Sequence, residues 1–251
     1  RVLFRSPPYE CADVPDEGYP DGLTANLAVK KLRALSKGEK PFCLAVGFFK
    51  PHLPFTAPRK YWDLYDENAI PLSPVPNIPE GICRYALHNS GEFNGYLEGD
   101  ERASLDKSVS EVYARKLRHA YFACISYIDA QVGKIIDELE RLGEADNTII
   151  VVWGDHGWHL GDQRVWGKHT LMETSLRSTL IMKVPHSSKS IENHRIVSSI
   201  DIYPTLMELC GVSVPDGLDG NSFTKLLADP KERSWHEAAY SYFNNGVRSE
   251  E

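Results

Sequence analysis

The run Gly154-Asp155-His156-Gly157-Trp158-His159 follows directly on the apolar stretch Ile149-Ile150-Val151-Val152-Trp153. In α/β sheets, ligands gather at the carboxyl ends of strands. A carboxylate and an imidazole at such a tip can both reach one cation, and the flanking glycines let the backbone turn sharply beside it. The plain alternative is a solvated turn in which Asp155 caps a nearby amide. Lys168 and His169 follow in the same loop, and Lys50 and His52 close a second apolar run over 42–49. If the two runs are parallel strands, their tips face one side and gather Asp155, His156, Lys168 and His52. Cationic and hydrogen-bonding groups beside a metal suit a tetrahedral oxyanion ester. His159 and His169 read as supporting residues rather than metal ligands, Lys50 as a solvated or salt-bridged lysine, and His52 either as part of this group or as a packed loop histidine. Trp158 and Trp166 read equally as loop packing or as an aromatic wall for a sugar ring. Asp201 reads as a helix N-cap.

These residues need a scaffold, and periodicity supplies one. A helix is predicted over 23–35, with an apolar stripe through Leu23, Leu27, Leu32 and Leu35. The uninterrupted apolar run at 42–49 suits a strand covered on both faces. Two prolines make 50–55 an extended loop, and a short helix is predicted over 59–65. Residues 70–106 form a long excursion with weak periodicity, and loops of that length in a folded domain are usually functional. A long helix is predicted over 109–142 from the recurrence of Leu117, Tyr121, Ile125, Ile128, Val132, Ile135, Leu139 and Leu142, ended by Gly143. Strands follow at 149–153, 179–184 and 238–243, with helices at 172–177, after Asp201, and at 222–228. Strands alternating with helices predict an α/β fold, and no linker marks a second domain.

The chain has 251 residues, 42% hydrophobic and 25% charged, which excludes disordered, collagen-like and coiled-coil classes. Its net charge of -7 argues against nucleic acid as a partner. No apolar stretch approaches the roughly 18 residues of a membrane span. Of the five cysteines, Cys43 and Cys124 lie in apolar patterns and are expected to be buried; Cys11 and Cys83 lie in polar loops where disulfides are possible. There is no C-x-x-C metal or redox motif. The absence of an N-x-S/T sequon leans toward a periplasmic or secreted bacterial location, or a lysosomal one if the source is eukaryotic.

Read together, these segments resemble type I sulfatases. Gly154-Asp155-His156-Gly157-Trp158-His159-Leu160-Gly161-Asp162, with Trp166-Gly167-Lys168 after it, is similar to the family's C-terminal signature. Lys50-Pro51-His52-Leu53-Pro54-Phe55 resembles the matching segment of the iduronate-2-sulfatase branch. Tyr127 to Gly133 and Asp201 to Leu206 also resemble family segments. The resemblance implies an alkaline-phosphatase-like sandwich, a mostly parallel mixed central sheet flanked by helices. It implies hydrolysis of a sulfated saccharide, such as a 2-O-sulfated uronic acid, by a formylglycine nucleophile beside one Ca²⁺. The partners would be that saccharide and a formylglycine-generating or anaerobic sulfatase-maturing enzyme. By motif match, Asp155 and His156 would be metal ligands, Lys168 and His52 catalytic, and Lys50, Trp158 and His169 substrate-binding. The family's C/S-x-P-x-R nucleophile segment and N-terminal Asp pair do not occur here. Residues 1–251 are therefore expected to be the later part of the catalytic domain, inactive alone. A phosphate-ester metallohydrolase of the same fold and a non-catalytic glycan-binding relative are the competing readings.

Overall fold

The computed structural model describes residues 6–96, 98–187, 190–235, 238–243 and the backbone of 246–250. In chain order the elements are β1 (Tyr9–Ala12), α1 (Pro20–Leu35), β2 (Phe55–Pro58), α2 (Arg59–Trp62), α3 (Glu111–Arg141), β3 (Ile150–Trp153), β4 (His159–Leu160), β5 (Trp166–Gly167), α4 (Glu173–Leu176), β6 (Leu180–Lys183), α5 (Ile202–Leu209), α6 (Thr224–Ala228), β7 (Ala239–Phe243) and β8 (Gly246–Glu250). The mixed order of helices and strands is that of an α/β fold. Among the described residues the sheet consists of four two-stranded pieces, β1–β2, β3–β6, β4–β5 and β7–β8. β1 and β2 run parallel, while β4–β5 and β7–β8 are antiparallel. No described helix is long and apolar enough to cross a membrane.

Two compact units emerge. The first runs to Val151 and takes in 158–168 and 182–186; the second holds 152–157, 169–181 and the residues from Ser187 onward. The chain passes between them several times, some of these passages lying within β3 and β6. Such a discontinuous boundary leaves no linker in the sequence.

In the first unit α3 starts where the Ser110 side chain accepts the Tyr113 amide at 3.2 Å, an N-cap. It ends before Gly143, whose φ of +73° suits glycine. Its buried face keeps part of the predicted stripe, with Leu117 and Leu139 buried and Tyr121, Ile128, Ile135 and Leu142 partly buried against the cores. Tyr113, Leu117, Ala120, Ala123, Cys124, Tyr127 and Gln131 are buried, while Ile125 is 45% exposed. The small residues Ala120, Ala123 and Cys124 belong to one core with Phe55 and Ala57 of β2 and Tyr61 and Trp62 of α2. Small side chains there permit close approach, and long aliphatic ones would not. In α1, of the predicted stripe only Leu32 is buried. Leu23 and Leu27 are 57% and 56% exposed, and the buried face is Asp21, Gly22, Ala25, Ala28 and Leu32.

The run over 42–49 is also corrected. It forms no ladder among the described residues, and burial alternates along it, with Phe42 and Leu44 packed beside Leu32 and Leu139. Cys43, on the other side, is exposed rather than buried, whereas Cys124 is buried as expected. None of the five cysteines forms a disulfide, Cys11 and Cys83 included.

A buried carboxylate knits the first unit together. Asp16 accepts from Tyr61 Oη at 2.9 Å, Gln131 Nε2 at 3.2 Å, Lys60 Nζ at 2.7 Å and Lys134 Nζ at 2.6 Å. Tyr127 Oη donates to the Asp16 carbonyl at 2.8 Å and accepts the Gly22 amide at 2.6 Å, tying α3 to the start of α1. Burial alone would raise the Asp16 carboxyl, but the hydrogen bonds from the two ammonium groups outweigh it and hold the carboxyl well below its usual range.

In the second unit the 3₁₀ turn Ser199–Asp201 leads into α5. Asp201 stands at the N-cap position of α5 as expected, but its side chain caps no amide of that helix. Ser198 caps the preceding 3₁₀ turn in a capping box, and the Asp201 carboxylate accepts the Ser198 amide at 2.7 Å and the Asn221 amide at 2.8 Å. Thr205 Oγ1 donates to the Asp201 carbonyl at 2.6 Å and accepts the Phe223 amide at 3.0 Å, which fixes the segment leading into α6.

Two outcomes follow. Asp16→Asn leaves two ammonium groups without their counter-charge and is expected to lower stability by about 2–3 kcal/mol at pH 7. Because the folded carboxyl lies below its unfolded value, its contribution is complete above about pH 4 and is lost as pH falls toward the folded value. Urea midpoints at pH 7 and pH 3 for both proteins check this, the difference between them shrinking in acid. For the thiols, burial pushes Cys124 up to about 12. A thiol reagent at pH 8 should label Cys43, Cys83 and Cys210 in the native protein and spare Cys124 until it unfolds.

Candidate active site

The first unit gathers Lys50, His52, Lys168 and Glu92 from a loop, a hairpin and the 70–106 excursion. Asp21 in the first turn of α1 accepts the amides of Phe49 and Lys50 at 2.8 and 2.9 Å. The Lys50 ammonium donates to the carbonyls of His52 at 2.9 Å and Pro54 at 2.7 Å. Lys50 is therefore buried, with its ammonium spent on the loop rather than presented to a substrate as the sequence suggested. Burial lowers its pKa. The folded-over loop presents His52. Its Nδ1 lies 2.8 Å from the Leu53 carbonyl, an acceptor only, so Nδ1 carries a proton and Nε2 is the working nitrogen.

Lys168 arrives on the β4–β5 hairpin. Asp162 closes the turn, accepting the Leu160 amide at 2.9 Å and the Ser73 hydroxyl at 2.6 Å. Ser90 Oγ accepts the Trp166 amide at 2.9 Å, and the Trp166 ring stacks on Phe93 at 5.5 Å between centroids. These contacts dock the 88–93 segment on the hairpin and bring Glu92 with it. Lys168 Nζ lies 2.9 Å from His52 Nε2, and both face Glu92, at 3.5 and 3.1 Å respectively. The ammonium also sits over the Trp158 ring, 5.2 Å from its centre. Trp158 itself is 8% exposed and packs edge-on to Phe55, so it is an aromatic floor for Lys168 and His52 rather than an open wall. His159 is fully buried, and burial lowers its pKa.

The second unit holds the two predicted metal ligands. Asp155 Oδ2 and His156 Nε2 lie 3.4 Å apart, and the His156 amide donates to Asp155 Oδ1 at 3.0 Å. His156 Nδ1 lies 2.8 Å from the Gly157 carbonyl, which fixes that nitrogen as the donor and leaves Nε2 for a cation. Gly157 is required there: a Cβ would sit 2.0 Å from the Thr174 carbonyl oxygen. The donors fit part of a cation site, one carboxylate and one imidazole. Among the described residues no group of three or more His, Cys, Asp or Glu side chains could hold a metal, and Ca²⁺ takes 6–8 ligands. His169 also belongs to this unit and stacks on Phe243, with ring centres 5.3 Å apart. Sequence reasoning missed Glu92. Its only signal was the length of the 70–106 excursion, because its approach depends on the Ser90–Trp166 bond.

The Sulfatase family matches residues 3–212, and the chain belongs to that family. It is 30% identical over 241 residues to human (Homo sapiens) iduronate 2-sulfatase, spanning 83% of this chain and 43% of that protein. It is 32% identical over 213 residues to a choline-sulfatase of Rhizobium meliloti, spanning 82% and 39%. The chain thus spans less than half the length of these relatives. Among solved structures, a phosphonate monoester hydrolase from Silicibacter pomeroyi is 25% identical with a TM-score of 0.73, covering 91% of this chain and 45% of that one. The fold is the alkaline-phosphatase-like α/β fold of the sulfatases.

The loop geometry makes Asp21 the support of His52. Asp21→Ala removes the acceptor for two amides, and hydrogen exchange at Phe49 and Lys50 is expected to rise by at least tenfold, the equivalent of about 1.4 kcal/mol. Unchanged exchange there would show that the loop holds itself.

Proposed function

We propose that the protein carrying this chain hydrolyses sulfate esters of a glycan, with a 2-O-sulfated uronic acid as substrate. The observation that carries the reading is the convergence of Lys168 Nζ and His52 Nε2 on one carboxylate, Glu92, at 3.5 and 3.1 Å. An ammonium and an imidazole that donates from Nε2 when protonated, both aimed at one anionic group, suit a sulfate ester. The 30% identity to iduronate 2-sulfatases supports the choice of sugar.

In this reading Lys168 donates to the sulfuryl oxygens, and its charge offsets the negative charge that grows there in the transition state. His52, with Nδ1 held by the Leu53 carbonyl, orients the ester or delivers a proton to the leaving sugar oxygen from Nε2. Lys50 keeps the loop folded so that Nε2 stays in place. In the second unit, Asp155 and His156 would hold Ca²⁺, which would supply Lewis-acid chemistry to sulfate-ester hydrolysis. The nucleophile, a formylglycine made by a maturing enzyme, is proposed to lie outside residues 1–251.

The test is sulfate release from a 2-O-sulfated uronide by the full-length protein co-expressed with a maturing enzyme. Lys168→Ala should lower kcat/KM by at least about a hundredfold. Full activity in that variant would contradict the assignment. A second reading, hydrolysis of phosphonate monoesters, draws on the structural likeness to such a hydrolase. A higher kcat/KM on a phenyl phosphonate monoester than on the sulfated uronide would favour it.

A further inference from the structure

The groups that would receive a sulfate ester are already engaged with a carboxylate of the same chain. Glu92 spans Lys168 Nζ at 3.5 Å and His52 Nε2 at 3.1 Å, and all three side chains are only partly buried, at 17%, 30% and 32% exposure for Lys168, His52 and Glu92. Two further charged groups at this loop are spent on its backbone: the Lys50 ammonium on the His52 and Pro54 carbonyls and the Asp21 carboxylate on the Phe49 and Lys50 amides. The local charge is therefore easily counted. With neutral imidazole, Lys168 and Glu92 cancel; with imidazolium, the sum is one positive charge. Without Glu92 each sum would be one unit more positive.

From this count we infer that Glu92 is a specificity-determining residue that tunes the pocket to a singly charged ester group and against a doubly charged sulfate or phosphate group. The inference rests on reading the pocket as an anion site. A sulfate monoester carries one negative charge, whereas its product, inorganic sulfate, carries two, as does a phosphate monoester above neutral pH. An entering anion competes with Glu92 for Lys168 and His52 and feels its charge at close range. That repulsion doubles for a dianion, because Coulomb energy scales with ligand charge. Glu92 thus lets the ester in and helps the product out, with its own carboxylate taking back the two donors when the pocket empties.

The test uses this chain, with methyl sulfate as the monoanion and inorganic sulfate as the dianion at constant ionic strength. Binding is followed by NMR at the His52 imidazole and the Trp158 indole. Glu92→Gln should bind both ions more tightly and shift the preference toward the dianion by roughly tenfold. Glu92→Asp keeps the charge and should hold the wild-type preference. An unchanged ratio in Glu92→Gln, a Glu92→Asp variant that behaves like it, or no binding of either ion at these two residues would each overturn the inference. Hydrolysis is measured separately on the full-length protein, so a failure of the sulfatase reading is distinguishable from a failure of the charge-tuning role.

Discussion

A single buried carboxylate, Asp21, sets the position of the site in the first unit. Sitting in the first turn of α1, it takes the amides of Phe49 and Lys50, the two residues that begin the loop carrying His52. A carboxylate that receives two backbone amides loses little to desolvation. The chain is then committed to turn there, and the Lys50 ammonium completes the turn by donating to the His52 and Pro54 carbonyls. α1 is itself fixed through Tyr127, which joins Gly22 to the Asp16 carbonyl. The line of support runs from α3 through α1 to the imidazole.

On that support the chemistry is electrostatic. Lys168 is held by a short hairpin and lies over a buried indole, where its charge is less screened than at an open surface. The same indole and the Leu53 carbonyl restrict His52, so the working nitrogen points one way. Glu92 balances the two. The pair in the second unit follows related logic, since the Gly157 carbonyl fixes the tautomer of His156 and frees Nε2 beside the Asp155 carboxylate.

Much of this was legible in the sequence, and the gaps have physical causes. The α/β class, the long helix with its terminal glycine, and the residues Lys168, His52, Asp155 and His156 followed from spacing and family resemblance. The face each helix buries was legible only in part, at Leu32, Leu117 and Leu139. Periodicity ranks Leu23 and Ile125 above Ala25 and Ala120, yet close helix packing selects the small residues. The role of Lys50 was misjudged because a lysine beside a histidine looks like an anion ligand. Whether its ammonium turns inward depends on carbonyls that only the folded loop presents. Glu92 was invisible for a similar reason: a hydrogen bond between Ser90 and a distant hairpin brings it to the pocket.

The central claim is that Lys168 and His52 form an anion site. Perrhenate, a tetrahedral monoanion with strong anomalous scattering, tests it most directly when diffused into crystals of this chain. The account predicts an anomalous peak within hydrogen-bond reach of Lys168 Nζ and His52 Nε2, with the Glu92 carboxylate moved off both. Perrhenate bound elsewhere, with Glu92 still bridging the two donors, would contradict it.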